Sequence, residues 1–538
     1  MTEEDPISQP SVARSTAIMS ISTTLSRVTG FVRTWAMGYA LGVTTISASY
    51  TVANNIPNMI FELFAGGVLS SVFIPLFMER RQHGDEDAWR YASYVFNIVV
   101  LVLGIVAAIG TIWAPQFVRT QTFRTSPEKA ELAVFFFRFF AVQVVFYGAG
   151  MVVTGILNSY RRFFAPAMAP IFNNIIVIIT MLGFYIPFRD TNPALAKTGL
   201  AVGTTLGVVV MVLVQLPSLR KLGIRYTPRI DWHHPGLRKM VTKVGPTLIY
   251  VITNLVGVSF RNAYALGVTD TGTAVLQYAW MWYQLPYGIF AVALATAIFP
   301  ELADHAHKED WTGFKATFSK GFKATSMIIV PLATMLVALA TPLISLYRAG
   351  KFTSANVQIV SDVLVWWAAG LFFYAGYMFV LKTFYSMQDT KTPMLTNIVA
   401  TLLQVSLYAA LTAGIGAWKG LGLAGIPIAD GAFFAVHLTM LMFLLRKRIG
   451  GFDFKGIAWG VSRVFAASIP GGLAAIGLMR VTSTLGDTPL SLLARLALAG
   501  SVGLIIAYGL AAVMRVAEVS LVLGRIRSLI TRRKGRAV

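Results

Sequence analysis

Tyr91-Ala-Ser-Tyr-Val-Phe-Asn-Ile-Val-Val-Leu-Val-Leu-Gly-Ile-Val-Ala-Ala-Ile-Gly-Thr-Ile-Trp-Ala-Pro115 carries no charged side chain over twenty-five residues. At a rise of about 1.5 Å per residue, a helix of this length exceeds the roughly 30 Å hydrocarbon core of a bilayer. Within lipid, backbone N–H and C=O groups must be satisfied internally, so such a run predicts a spanning helix. Similar runs recur along the 538-residue chain, with approximate cores at 15–40, 50–78, 131–158, 166–187, 198–217, 244–266, 273–300, 324–346, 358–382, 393–417, 422–445, 457–480 and 489–513. The polar gaps are short and leave no large soluble domain. The expected fold is therefore an all-α polytopic membrane protein of about fourteen transmembrane helices. Composition agrees, with 56% apolar residues, 13% charged residues and a mean hydropathy of +0.67.

Zero cysteines exclude a disulfide framework and thiol catalysis, and the six histidines show no metal-ligand spacing, so no metal site and no redox or zinc enzyme is expected. The formal charge of +22 would suggest nucleic acid in a soluble protein. Here its placement gives orientation instead. With a cytoplasmic N-terminus, the cytoplasmic gaps and termini hold 29 Lys and Arg and the opposite gaps hold 9. That bias predicts a bacterial cytoplasmic-membrane protein with both termini inside and a basic tail against anionic membrane lipid. Nucleic acid is not an expected partner. The acidic start and the arginines within 15–40 argue against a cleaved signal peptide there.

Two stretches repeat six helices apart. Pro57-Asn-Met-Ile-Phe61 resembles Pro286-Tyr-Gly-Ile-Phe290, and Pro170-x-x-x-Asn174-Ile175 resembles Pro393-x-x-x-Asn397-Ile398, at offsets of 229 and 223 residues. A duplicated six-helix unit follows, with an even helix count giving both copies the same orientation. The expected organisation is a cytoplasmic arm (1–14), an N-lobe (15–220), a C-lobe (221–448), an extra helix pair (449–524) and the basic tail (525–538).

Polar side chains on one face of a membrane helix turn toward other helices or water. Ser20, Thr23 and Arg27 form such a stripe on the first helix, and Thr51, Asn55, Asn58 and Glu62 form one on the second. Asn254 and Arg261 on the seventh helix and Gln277 and Gln284 on the eighth repeat the pattern. The stripes predict a polar cavity between lobes, although Asn and Gln also serve to hold helices together. Gly30, Pro57, Gly66-Gly67 and Pro286 are expected bend points. Arg27, Arg33 and Arg261 face one acid, Glu62, for a net +2 in these helices. A cation near mid-membrane costs roughly 2.5–3.5 kcal/mol on insertion scales, so the set implies a hydrated cavity or an anionic ligand. Arginine suits phosphate through its bidentate fork, while Arg33 and Arg261 could also snorkel from helix ends.

Further motifs carry a family resemblance. Ser26-Arg27-Val-Thr-Gly30-Phe31-Val-Arg33, Ile56-Pro57-Asn58, Phe64-Ala65-x-Gly67, Phe73-Ile74-Pro75, Gly155-Ile-Leu-Asn158, Pro166-Ala-x-Ala-Pro170, Gln215-Leu-Pro217, Gly350-Lys351-Phe352-Thr353 and Phe384-Tyr385-Ser386-x-Gln388-Asp389-x-Lys391-Thr392-Pro393 resemble the MurJ (MviN) family of lipid II flippases, in an actinobacterial-type branch. The resemblance implies the fold of the multidrug/oligosaccharidyl-lipid/polysaccharide (MOP) exporter superfamily, with two six-helix lobes and a last helix pair forming a groove for the undecaprenyl tail. It also implies a transporter, not an enzyme, that moves lipid II from the inner to the outer leaflet for peptidoglycan synthesis, without a cofactor. Coupling to membrane potential or an ion, and partners among cell-wall synthesis and division proteins, are further expectations.

The family's arginines carry over in part. Two fall on Arg27 and Arg33, but the acid usual after the second is Thr34 here. The arginine of the second helix falls on Phe61, the Asp-Arg of the eighth on Trp280-Met281, and a later glutamate on Gln284. The expected substrate-binding set is Arg27, Arg33, Arg261, Asn55, Asn58, Glu62 and Gln284, with Arg261 replacing a lost cation. Glu62 reads either as a counter-ion or as an ion or proton switch. The rival readings are an exporter of another polyprenyl-linked glycan or of drugs, and a scaffold for cell-wall enzymes; the +2 cavity disfavours cationic drugs.

Overall fold

The computed structural model describes residues 12–64, 73–82, 84–231, 235–486 and 488–516, without the side chains of 12–21, 23, 61–64 and 235–248. The expectations for Gly66-Gly67, for most of the N-terminal arm, for the basic tail 525–538 and for the side chains of Ser20, Thr23, Phe61 and Glu62 lie outside the described residues. Contacts divide the chain into two compact units, Met1–Leu255 and Val256–Val538.

In unit 1 the helices are α1 (Val12–Leu41), α2 (Thr45–Phe64), α3 (Ile74–Gln82), α4 (Asp85–Ile112), α5 (Ala114–Thr122), α6 (Pro127–Phe140), α7 (Gln143–Ser159), α8 (Phe164–Ile179), α9 (Ile186–Phe188), α10 (Pro193–Leu213) and α11 (Leu216–Arg220). A π-helical turn, Thr180–Tyr185, joins α8 to α9. Sequence sets the helix starts: Asp85, Glu86 and Asp87 place negative charge on the first turn of α4, and proline opens α6 and α10 where its missing N–H costs nothing. The Asn192 side chain accepts from the Leu195 N–H at 3.1 Å, capping α10. Phe73, Phe77, Trp89, Tyr91, Ile156 and Leu157 form a buried cluster joining α3, α4 and α7. Lipid tails are as apolar as these side chains, so close packing, not removal from water, holds such a cluster together.

Helix α12 (Pro235–Val268) crosses from one unit to the other. Unit 2 continues with α13 (Gly272–Pro286), α14 (Val292–His307), α15 (Trp311–Ala338), α16 (Ala340–Ser345), α17 (Ser354–Ala369), α18 (Leu371–Ser386), α19 (Lys391–Ala413), α20 (Gly425–Arg448), α21 (Phe454–Val481) and α22 (Pro489–Val513). At Pro286, an expected bend point, the helix continues from α13 to α14 through a π-helical turn, Tyr287–Ala291. Gly30 and Pro57, by contrast, lie inside continuous helices. The duplication appears in which helices are neighbours. In unit 1, α2 packs on α6, α4 on α7 and α8 on α10; in unit 2, α13 packs on α17, α15 on α18 and α19 on α20.

Among the described residues nine helices are long and apolar enough to span a membrane, and the bent pairs α6–α7 and α17–α18 bring the number to eleven. The three remaining expected spans fall on α1, α2–α3 and α12, which include undescribed residues. Fourteen spans are therefore compatible with the fold.

The last two helices form an antiparallel hairpin packed on α15. A Cβ on Gly471 would lie 2.3 Å from the Gly503 carbonyl oxygen, so only glycine permits this approach. Two arginines cap the hairpin reciprocally. Arg495 at the start of α22, only 6% exposed, donates to the Met479 carbonyl at 3.0 Å and the Gly486 carbonyl at 3.1 Å beyond the end of α21. Arg463 near the start of α21 donates to the Met514 carbonyl at 2.9 Å at the end of α22. Helix C-termini leave carbonyls unsatisfied and carry partial negative charge, which explains two arginines in apolar helices without any ligand.

Candidate functional site

Two of the seven expected site residues sit on α1. Arg27 is exposed and has no hydrogen-bond or ion-pair partner among the described residues. Two residues on and on the opposite face of α1, Thr29 Oγ1 accepts from Asn174 of α8 at 3.1 Å, tying α1 to the helix that carries the Pro170-x-x-x-Asn174 repeat. Arg33 is half-buried and donates to the Tyr50 hydroxyl of α2 at 3.4 Å, a long hydrogen bond. Tyr50 is 2% exposed, packs edge-on against Phe136 and Phe140, and shares a 3.2 Å hydrogen bond with Thr204 of α10. The Thr34 hydroxyl, where the family places an acid, bonds back to the Gly30 carbonyl at 3.1 Å.

On α2 the expected residues contribute less. The Asn58 side chain donates to the Asn54 carbonyl of its own helix at 2.9 Å, and Asn55 is half-buried without a side-chain hydrogen bond. Glu62 belongs to α2, but its side chain lies outside the described residues. In unit 2, Gln284 of α13 donates to the Tyr374 hydroxyl of α18 at 3.3 Å.

Arg261 of α12 has surroundings that the sequence did not announce. Its guanidinium carbon lies 5.2 Å from the ring centre of Trp280 on α13, and its Nη1 is 4.0 Å from the Asp430 carboxylate of α20. Asp430 is 2% exposed. Its carboxylate accepts from Trp367 Nε1 of α17 at 2.8 Å, from Gln404 Nε2 of α19 at 2.8 Å and from the Tyr408 hydroxyl. Glu62 is therefore not the only acid to set against Arg27, Arg33 and Arg261: a buried carboxylate faces the third of them. The clue was available, because Asp430 is the only Asp, Glu, Lys or Arg in the apolar run 422–445.

The two arginine environments occupy equivalent positions. Arg33, Tyr50 and Thr204 correspond to Arg261, Trp280 and Asp430 at offsets of 228, 230 and 226 residues, close to the 229 and 223 of the sequence repeat. In each unit an arginine on the first helix of the repeat meets an aromatic residue on the second; a polar group on the sixth bonds that aromatic residue in unit 1 and faces the arginine itself in unit 2.

The family profile described as "Lipid II flippase MurJ" matches residues 37–496. The chain belongs to the MurJ family. A probable lipid II flippase MurJ of Vibrio cholerae is 28% identical over 450 residues, covering 80% of this chain and 82% of that protein. The lipid II flippase MurJ of Burkholderia cenocepacia is 27% identical over 475 residues, covering 86% and 89%. A solved lipid II flippase MurJ in an inward closed conformation is 21% identical and superposes with a TM-score of 0.74 over 93% of this chain and 99% of that one. An inward-facing multidrug resistance MATE transporter of the MOP superfamily follows at 0.58, with 16% identity over 81% of this chain and 94% of that one. The protein is thus a membrane transporter of the MurJ fold and not an enzyme.

The family's most specific blocks prove to be structural. Gly350 has φ +58°, in the left-handed region glycine favours, and Phe352 is buried against Tyr278 and Tyr347. Thr353 and Asn356 then form a capping box at the start of α17. In the second block Asp389 accepts from the Thr392 N–H at 3.0 Å and from its hydroxyl at 2.7 Å, and pairs with Arg448 at the end of α20.

Proposed function

We propose that the chain flips lipid II from the inner to the outer leaflet of the bacterial cytoplasmic membrane by alternating access, both termini being cytoplasmic. Arg27 and Arg33 hold the diphosphate as bidentate donors, and Arg261 offers a further contact to an anionic group of the cargo. Membership of the lipid II flippase family across residues 37–496 carries this reading. The chemistry of unit 1 supports it: among the described residues Arg27 has no hydrogen-bond or ion-pair partner, and Arg33 donates to a neutral hydroxyl. Cations left this way favour an anionic cargo and oppose the cationic drugs of a multidrug exporter. The cargo need only bias two states separated by a few kcal/mol, with membrane potential or an ion as a second bias.

The test is replacement of the resident flippase of a peptidoglycan-making bacterium by this chain, together with lipid II translocation in reconstituted vesicles. Growth and translocation are expected, and both are expected to fail for Arg27→Ala at normal membrane levels. A chain that reaches the membrane and leaves lipid II in the inner leaflet overturns the proposal.

A further inference from the structure

Membrane arginines in unit 2 divide into two kinds. Arg495 and Arg463 each donate to helix-end carbonyls, although Arg463 Nε, like Arg261 Nε, is buried without an acceptor among the described residues. Arg261 donates no hydrogen bond to any described residue, and its Nε is buried without an acceptor. Its nearest carboxylate lies at 4.0 Å, beyond hydrogen-bonding reach. The reason is on the other side of that contact. Asp430 already accepts from Trp367, Gln404 and Tyr408, three neutral donors on α17 and α19, so its carboxylate is stabilised without a hydrogen bond from Arg261. Trp280 supports one face of the guanidinium through its ring.

An arginine that only balanced Asp430 would form the short, forked pair that guanidinium and carboxylate prefer. This one lies 4.0 Å from a carboxylate oxygen that already accepts from Trp367, while the other oxygen is taken by Gln404 and Tyr408; the attraction keeps the cation in the membrane without using its donors.

We propose that Asp430 is the positioning residue of a second oxyanion site, holding Arg261 beside Trp280 as an open donor for an anionic group of the cargo. The oxyanion belongs to the diphosphate or to a peptide carboxylate of the head group. The inference rests on the lipid II reading above and adds the residue through which unit 2 contributes to it.

The experiment measures equilibrium binding of lipid II and of undecaprenyl diphosphate to the full chain in lipid nanodiscs, with translocation followed separately. Arg261→Gln and Asp430→Asn are each expected to weaken lipid II binding about tenfold, the size of one charge-assisted contact. In the Arg261→Gln background Asp430→Asn is expected to add almost nothing; with Arg261 present, Asp430→Glu is expected to lose less than Asp430→Asn because it keeps the carboxylate. Weakening of both ligands assigns the diphosphate; weakening of lipid II alone assigns a peptide carboxylate.

Parental binding by Asp430→Asn, or independent losses that add in the double variant, overturns the proposal. Should Asp430→Asn not fold, the charge-balanced double variant decides: affinity equal to Arg261→Gln alone supports the inference, and weaker affinity refutes it. A parental chain that binds lipid II but does not move it overturns the flippase reading and leaves the site standing.

Discussion

The surroundings of Arg33 and of Arg261 are two versions of one arrangement. In unit 1 the arginine reaches a tyrosine hydroxyl that is relayed to Thr204, a chain of neutral groups that offers the cation no counter-charge among the described residues. In unit 2 the position of Thr204 is taken by Asp430 and that of Tyr50 by Trp280, and the cation is compensated without being hydrogen-bonded. At an effective dielectric constant of about 20, a charge pair at this separation is worth about 4 kcal/mol before desolvation, far more than a hydroxyl contact of about 1 kcal/mol. Equivalent backbones thus give one site whose described partners are neutral and one that carries its own counter-charge.

The largest expected effect breaks the comparison at its sixth-helix position. Asp430→Ala removes the acceptor of three buried donors and the counter-charge of Arg261, and should cost at least about 3 kcal/mol of stability. Thr204→Val removes one hydroxyl and should cost about 1 kcal/mol. Thermal unfolding of the purified protein measures both, and equal losses would mean that the two positions are not different in kind.

Next comes the arginine itself. Arg33→Ala should abolish lipid II translocation with the protein still in the membrane, and Arg33→Lys should restore it only in part, since a point charge lacks the fork. Arg261→Ala is expected to do less, because Asp430 keeps its three neutral donors. Introducing Met281→Arg beside Arg261→Ala should recover part of the activity if unit 2 needs a charge rather than that one position. Translocation at the parental rate by Arg261→Ala would show that unit 1 binds the head group alone.

The smallest effect lies away from both arginines. Asp310 precedes α15, and the Gly313 N–H together with His305 holds its carboxyl below the usual carboxylate range. Its stabilisation is complete above the unfolded carboxylate value of about 3.9 and is lost as pH falls through the depressed folded value. Lowering the pH from 7 to 5 should therefore leave the start of α15 unchanged by hydrogen exchange, and Asp310→Asn should abolish any loosening seen at more acid pH.

Much of this protein could be read from residue order. Apolar runs too long for anything but a membrane helix gave the all-α fold, because a backbone in lipid has no other partner for its polar groups. The offsets between Pro57 and Pro286 and between Asn174 and Asn397 anticipated helices with equivalent neighbours in both units. Pro286 marked a π-helical turn, and Arg27 and Arg33 were legible as costly charges in an apolar helix. Residue order did not show what each charge would meet. Asp430 lies 169 residues after Arg261, and Trp367, Gln404 and Tyr408 come from two further helices. Arg463 and Arg495 look no less anomalous than Arg261 along the chain, yet they cap a hairpin while Arg261 keeps its donors free. Hydropathy acts within one helix and is written in consecutive residues. The pairing of a buried charge depends on separations of a few ångströms between helices far apart in sequence, and only their packing fixes those.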